Sequence, residues 1–483
     1  MPVSNRIKNQ HLLWRAAFGP MAENAADLEN ISQKQLWKLL IKTSSKKPEK
    51  MVIASGLFDG MMKGVQDVVQ LQKLTAEQKK AIRQQSRDGL KSLNQRWLQE
   101  MINSEAQLRE RMSLFWHGHF ACRVINIYFQ QELLDIIRNN ATGNFGELLR
   151  AVSKSSAMLQ FLNNQQNRKQ KPNENFAREV MELFTMGRGN YSEKDVKEAA
   201  RAFTGWGFNL QGEFVFRKNQ HDDGSKTFLG ETGNFEGDDI IDIILKQKNT
   251  AVFITKKMYR YFVNDNPNEE KVALLADRFF KSDYNLATLM EDIFISDWFY
   301  DDKNIGTKIK SPIDLLAGIR RLLPMELEDD NMQLLFQRAL GQILFYPPNV
   351  AGWPGGKSWI DSSTLMLRLR IPQILTANEA ININPKSDDD VMMGQMTEEK
   401  KAAQLKKGFG KMTGASVDWD AVSKVFAKQP REKLLPLISE TVLQASSRSN
   451  NAMLDKYLNN DSRENYIKSA IVHLMSTPEY QLC

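Results

Sequence analysis

Helix-start signals recur along this chain of 483 residues, and they constrain its fold more than any other feature. Ser32-x-x-Gln35, Thr75-x-x-Gln78 and Ser104-x-x-Gln107 have the capping-box spacing, in which a hydroxyl and an amide satisfy the orphan N–H groups of a first turn. Ser311-Pro312 places a cap before a proline at the first helical position. Leu74 to Ile102 holds few helix breakers beyond Gly89, which predicts one long or broken helix. Helical periodicity returns over 133–152, 250–263, 268–281, 285–300, 312–323, 331–345, 433–446 and 463–476. Strand signals are few. Gly212–Phe216 and Lys226–Gly230 bracket a polar tip and predict one hairpin. With no alternating strand–helix series and no internal repeat, the expected class is mainly α: a large multi-helical body with one small β-hairpin.

The length exceeds one ordinary core, so the chain is divided into three parts. Residues 1–382 form the expected main helical domain, with the hairpin inserted near 212–230. Residues 383–400 are a linker or mobile loop, and 401–483 a smaller C-terminal helical unit. Apolar residues at 42% and charged residues at 25% give a soluble globular balance. The 65 basic and 58 acidic residues leave a net charge of +7 that no Lys/Arg block concentrates. That bias suits acidic small molecules better than nucleic acid. Two cysteines, Cys122 and Cys483, make no disulfide framework. The first residues hold no signal-peptide h-region, and no apolar run reaches membrane-spanning length. As it stands the sequence predicts a cytoplasmic protein, or a periplasmic or secreted one if a leader has been removed.

The densest stretch is Asn173–Trp206, read as helix, glycine turn, helix and glycine stop. Asn173-Glu-Asn175 predicts a helix start, Gly187-Arg-Gly189 a stop, and Ser192-x-x-Asp195 the next cap. On the helical wheel Phe176, Val180, Leu183 and Phe184 share an apolar face, while Arg178 and Glu182, four apart, form an exposed pair. Glu179 falls at the margin of the apolar arc. A carboxylate there needs a partner such as Arg15 or Arg201, a metal, or a proton.

The chain has five histidines. His117 and His119 lie two apart, so a regular helix splays them by about 200° and they cannot chelate together. His119 is expected inward, either as a hydrogen-bonded structural residue or as a ligand or base, and His117 outward. Cys122, three residues on, is either a nucleophile beside His119 or a buried inert thiol. His221-Asp222-Asp223-Gly224 lacks the EF-hand order. It is either a polar turn or a loop that folds towards His119 and Glu179. Pro347–Gly356 is a backbone-stiffened loop carrying Trp353, held for stacking or plugged into the core.

HLLWRAAFGP (11–20), LRERMSLFWHGHFAC (108–122), the whole of 167–206, HDDGSKTFLGETGNFEGDDIIDIIL (221–245), PPNVAGWPGGKSWIDSSTLMLRL (347–369) and LMSTPEYQLC (474–483) resemble the bacterial family catalogued as domain of unknown function 1800. The resemblance covers nearly the whole chain. It implies no settled activity and transfers no catalytic residue. It does imply export for many members and a sulfatase-like protein as a partner.

Two functional readings follow. In the first, the protein is a metal-dependent hydrolase or non-haem oxidoreductase. His119, Glu179, His221 and Asp222 gather around a divalent zinc or iron ion, and His119 and Glu179 perform the acid–base work. Arg178 and Lys226 bind an anionic or carbohydrate-like substrate, with Trp206 and Trp353 as walls. In the second, the Trp353 loop and the basic surface engage a protein or glycan partner without catalysis.

Overall fold

A computed structural model describes residues 3–24, 27–54, 75–209, 211–377, 379, 414–444 and 454–483. The expected linker at 383–400 lies outside them. Among the described residues there are nineteen α-helices and three two-stranded antiparallel sheets, so the chain is mainly α. The sequence caps at Ser32, Thr75, Ser192 and Ser311 all form reciprocal capping boxes. The one at Ser104 does not. Ser104 Oγ accepts from the Ala106 amide at 3.1 Å, and Gln107 Nε2 turns back to the Ser104 and Met101 carbonyls. The helix Gln107–His119 therefore begins without a side-chain cap.

The predicted hairpin is replaced by two local ones. Trp206–Phe208 pairs with Phe214–Phe216, and Lys226–Phe228 pairs with Glu231–Gly233. Tight turns decide this. Asn209 Oδ1 accepts the amides of Gln211 and Glu213 in the first. In the second, Leu229 and Gly230 both have positive φ (46° and 87°), the signature of a type I′ hairpin turn. Each strand thus finds its partner next door, and 216 and 226 never pair across the polar tip.

The helix Gln107–His119 is central. All its residues but Gly118 are buried, because it is wedged between two apolar clusters. Leu108, Met112, Phe115 and Trp116 pack into the larger core, and Leu114 packs with Trp97, Leu93 and Met101 of the long helix Ala76–Asn103. His117 consequently points away from His119 yet is as buried as its neighbour, contrary to the outward expectation. Its Nε2 accepts the Phe345 amide at 3.1 Å.

Three consecutive charges on this helix go into the interior. Glu110 is 0% exposed. It receives Trp97 Nε1 at 3.0 Å, Arg109 Nε at 2.9 Å and Arg138 through both Nε and Nη2, at 3.0 and 2.9 Å. Arg111 pairs with Asp314, the capping residue of the helix Pro312–Leu322, and lies over the Tyr261 ring at 4.8 Å.

A second core joins residues 315–375 to 422–480, and Met325–Leu327 pairs with Ala415–Val417. The helices of the expected C-terminal unit therefore complete a core begun by Pro312–Leu322, Asn331–Leu340 and Ser362–Thr376. The last residues return to the main body, where Cys483 and Lys308 exchange both backbone hydrogen bonds (2.8 and 3.1 Å). No helix among the described residues is long and apolar enough to cross a membrane.

Removing one member of a buried ion cluster strands the others in a dry interior. Glu110→Ala is therefore expected to lose about 3–5 kcal/mol of stability. The urea unfolding curve measures this, and a loss below about 1 kcal/mol would show that the cluster is solvated.

Candidate functional site

One face of the central helix is left open to a cleft. Arg111, Leu114, Phe115, Gly118 and His119 recur at helical spacing along it. Opposite, the helix Lys248–Phe262 contributes Lys257, Arg260 and Tyr261. Arg15, the loop residues Asn264–Asn266, the segment 303–314 and the 351–359 loop close the remaining sides around a volume of ≈ 900 Å³. The tryptophan loop reaches its place through a contact that only glycine permits. Gly352 has φ +80°, and a Cβ there would stand 2.3 Å from the Gly118 carbonyl oxygen. Trp353 is thereby held partly buried over His117 (ring centroids 5.7 Å apart) while lining the cleft, as does the buried Trp359.

The cleft is strongly basic. Arg15, Arg111, Lys257, Arg260, Lys303, Lys308 and Lys357 line it against two acidic side chains, Asp265 and Asp314, and the negative charge at the last residue, Cys483. Both acidic side chains are engaged, Asp265 by Lys308 and Asp314 by Arg111. Arg15 has no side-chain carboxylate at hydrogen-bond distance among the described residues. Its Nη atoms donate to main-chain oxygens of Val263, Asn304 and the last residue, Cys483, at 2.8–3.0 Å, and burial pulls its pKa down to about 10 against the opposing negative charge at Cys483. Burial alone would lower Arg111 too, but Asp314 reverses the effect and holds it above its ordinary value. A second cleft of ≈ 630 Å³ has the opposite sign, with five carboxylates (Glu147, Glu231, Asp239, Asp242, Asp283) against Arg150 and Lys246.

The Asn173–Trp206 stretch enters the site through its backbone. The helix Asn175–Glu179 widens into a π-helical turn, Val180–Thr185, and ends at Gly187 with φ +77°. Helix ends leave carbonyls without amide partners. Here His119 Nε2 bonds the Phe184 carbonyl at 3.1 Å and Lys257 Nζ meets the Leu183 carbonyl at 3.4 Å. A carbonyl only accepts, so Nε2 carries the proton and Nδ1 keeps its lone pair. Nδ1 is enclosed with no partner among the described residues. Burial, with Lys257 nearby, holds the imidazole well below its ordinary pKa and hence neutral, while burial pulls Lys257 down to about 8.

The other residues singled out in the sequence lie elsewhere. Glu179 is partly buried and reaches neither Arg15 nor Arg201. Burial first, then repulsion from Glu182, raises its pKa. Arg178 does not pair with Glu182. The widened turn shifts the register, so Arg178 takes Glu193 at 2.7 Å and Glu174 at 3.2 Å, and Glu182 takes Arg188 at 2.6 Å. His221 Nδ1 lies 3.0 Å from the Thr204 carbonyl, and Asp222 is held by Arg201, which lowers its pKa. Lys226 Nζ is taken by the carbonyls of Asp222 (2.5 Å) and Gly224 (3.1 Å), pinning the hairpin base. Trp206 is buried against Phe203 and Phe214 with Lys154 above it. Among the described residues no three His, Cys, Asp or Glu side chains come together as a metal-holding group. His119, Glu179, His221 and Asp222 therefore do not form such a group. Cys122 is buried, and burial pushes its thiol far up, as an inert sulfhydryl requires.

Reading the sequence for charged motifs missed Arg111, Lys257 and Lys308, and named Arg15 only as a partner for Glu179. The one available signal was spacing: 111, 114, 115, 118 and 119 mark one stripe, and 257, 260 and 261 another.

The model of a family described as "Protein of unknown function (DUF1800)" matches residues 11–482. No curated protein and no solved structure matches the chain.

His117 anchors the loop as a neutral base, so acid acts against it. Burial lowers its pKa from 6.5 to about 3. The unfolded chain therefore binds a proton below about pH 6.5 that the folded chain refuses. Stability is complete above that pH and falls as the pH drops towards 3, by about 1.4 kcal/mol per unit. His117→Gln keeps an acceptor for the Phe345 amide but does not titrate. Its stability deficit relative to the parent is expected to shrink at that rate between roughly pH 6 and 4, measured by urea unfolding at each pH. A deficit independent of pH would mean that His117 is protonated in the fold.

Proposed function

The chain belongs to the DUF1800 family, whose description assigns no activity, and we propose that the ≈ 900 Å³ cleft binds an anionic small molecule. The observation that carries this reading is the excess of seven cationic side chains over two acidic side chains and the charge at Cys483 around one concave surface, with both acidic side chains already engaged. A low-dielectric cleft with that imbalance focuses a positive potential and lowers the free energy of an entering anion. Trp353, Trp359, Tyr261 and Phe115 supply ring faces beside the charges, which suits a planar or sugar-like body carrying the acid group.

An enzymatic form of this reading places acid–base chemistry at His119, whose bare Nδ1 is the neutral base of the cleft wall. Zinc or iron would enter as an added component taking that nitrogen as one ligand. Metal analysis of the purified protein beside His119→Ala tests this addition, and equal metal content in the two would remove it. The alternative, a surface that docks a sulfatase-like protein or another partner through Trp353, calls for an exposed apolar patch around that residue. Trp353 is instead partly buried in the cleft, and the large exposed apolar residues, among them Leu39, Leu274 and Met366, are far apart in sequence and on different elements.

The test is calorimetric titration with inorganic phosphate, sulfate and citrate at low ionic strength. One site is expected, accompanied by a tryptophan fluorescence change that Trp353→Phe diminishes. Arg260→Gln and Lys257→Met are expected to weaken binding by about tenfold each, the equivalent of one lost charge contact of about 1.4 kcal/mol. Binding that is unmoved by both substitutions, or no binding at all, overturns the assignment.

A further inference from the structure

The cleft lysines are not equivalent. Lys308 is taken by Asp265 and the Arg260 carbonyl, and Lys303 pairs with Asp301. Lys357 is exposed at the rim. Lys257 is enclosed, with its Nζ 5.2 Å from the Phe253 ring centroid and no carboxylate within ion-pair distance among the described residues. Among the described residues its one acceptor is the Leu183 carbonyl at 3.4 Å, a long bond that is readily given up. Arg260 lies three residues on along the same helix and the same cleft wall. A buried amine without a counterion is an arrangement that makes a lysine nucleophilic.

We propose that Lys257 captures the carbonyl carbon of an anionic aldehyde or 2-oxo acid as an imine, with Arg260 holding the acid group. This rests on the anion-binding reading of the cleft. The neutral amine adds its lone pair to the carbonyl carbon, forming the C–N bond while the carbonyl oxygen takes a proton. The nitrogen then loses a proton to water, and the carbinolamine expels one water molecule to give the C=N bond. No oxidant or reductant is involved. Burial pulls Lys257 down to about 8, which supports the presence of free amine near neutrality.

Two probes test it: pyridoxal 5′-phosphate, an anionic aldehyde, and glyoxylate, a 2-oxo acid, each added in equimolar amount to the full chain. The imine is fixed with borohydride and the adduct mapped by peptide mass spectrometry. The expected result is one adduct at Lys257, formed about tenfold faster than at any other lysine and suppressed by excess inorganic phosphate. Lys257→Met, shown to be folded by circular dichroism, is expected to lose it. Adducts spread evenly over exposed lysines, or labelling that persists in Lys257→Met, would falsify the nucleophile. Calorimetry with phosphate separates the two failures. Anion binding without an adduct overturns this inference alone, and the absence of both overturns the cleft assignment as well.

Discussion

The fold turns on how it buries the charged turn Arg109-Glu110-Arg111 inside its central helix. A carboxylate with no solvent contact is tolerated only when nearly every lone pair is met. Glu110 meets that condition with two guanidinium groups and an indole N–H drawn from three helices. Those partners fix the long helix Ala76–Asn103, through Trp97, and the helix Ile127–Asn140, through Arg138, against the central helix. On its other side Arg111 ties the same turn to the cap of Pro312–Leu322 through Asp314. Directional bonds to a buried charge set the rotation and register of four helices, which apolar packing alone would leave more permissive.

Much of the remaining buried positive charge is met by backbone dipoles. Arg15 bonds the Val263 and Asn304 carbonyls besides the oxygen of the last residue, Cys483, while Arg321 bonds the Gly19 and Ile102 carbonyls and Arg368 bonds the Lys310 carbonyl. Carbonyl oxygens stabilise a guanidinium without cancelling its charge. A carboxylate would have done both. The consequence is a core that is electrostatically supported yet leaves the cleft with a net positive field. The widened turn at Val180–Thr185 works in the same way, since its end carbonyls hold His119 in one tautomer and position Lys257.

Local chemistry made most helices legible. Reciprocal caps at Ser32, Thr75, Ser192 and Ser311 depend on residues three apart and on nothing distant. The glycine stop at Gly187 is equally local. Where the sequence reading failed, a longer-range effect had intervened. Glu182 left Arg178 because a π-helical turn changed the register between them. His117 went inward because the wheel assumes that the side opposite the core meets solvent, and here a second apolar cluster covers it. Of the residues proposed for the site, His119 and Trp353 line the cleft, whereas Glu179, Arg178, Lys226, Trp206, His221 and Asp222 serve the 175–233 region where they are.

The sequence by itself determined that this chain is built of capped helices, where several of them start, and that Trp353 rides on a stiff loop, because these depend on contacts within about one turn. Only the tertiary structure decided which cations share a space. Arg15, Arg111, Lys257 and Lys308 come from four segments spread between positions 15 and 308 of the chain. The geometry of a Gly352–Gly118 contact, a π-helical turn and a buried carboxylate brings them around one cleft. A charge's position in the chain carries no record of its neighbours in space, and the field at the site is a sum over those neighbours.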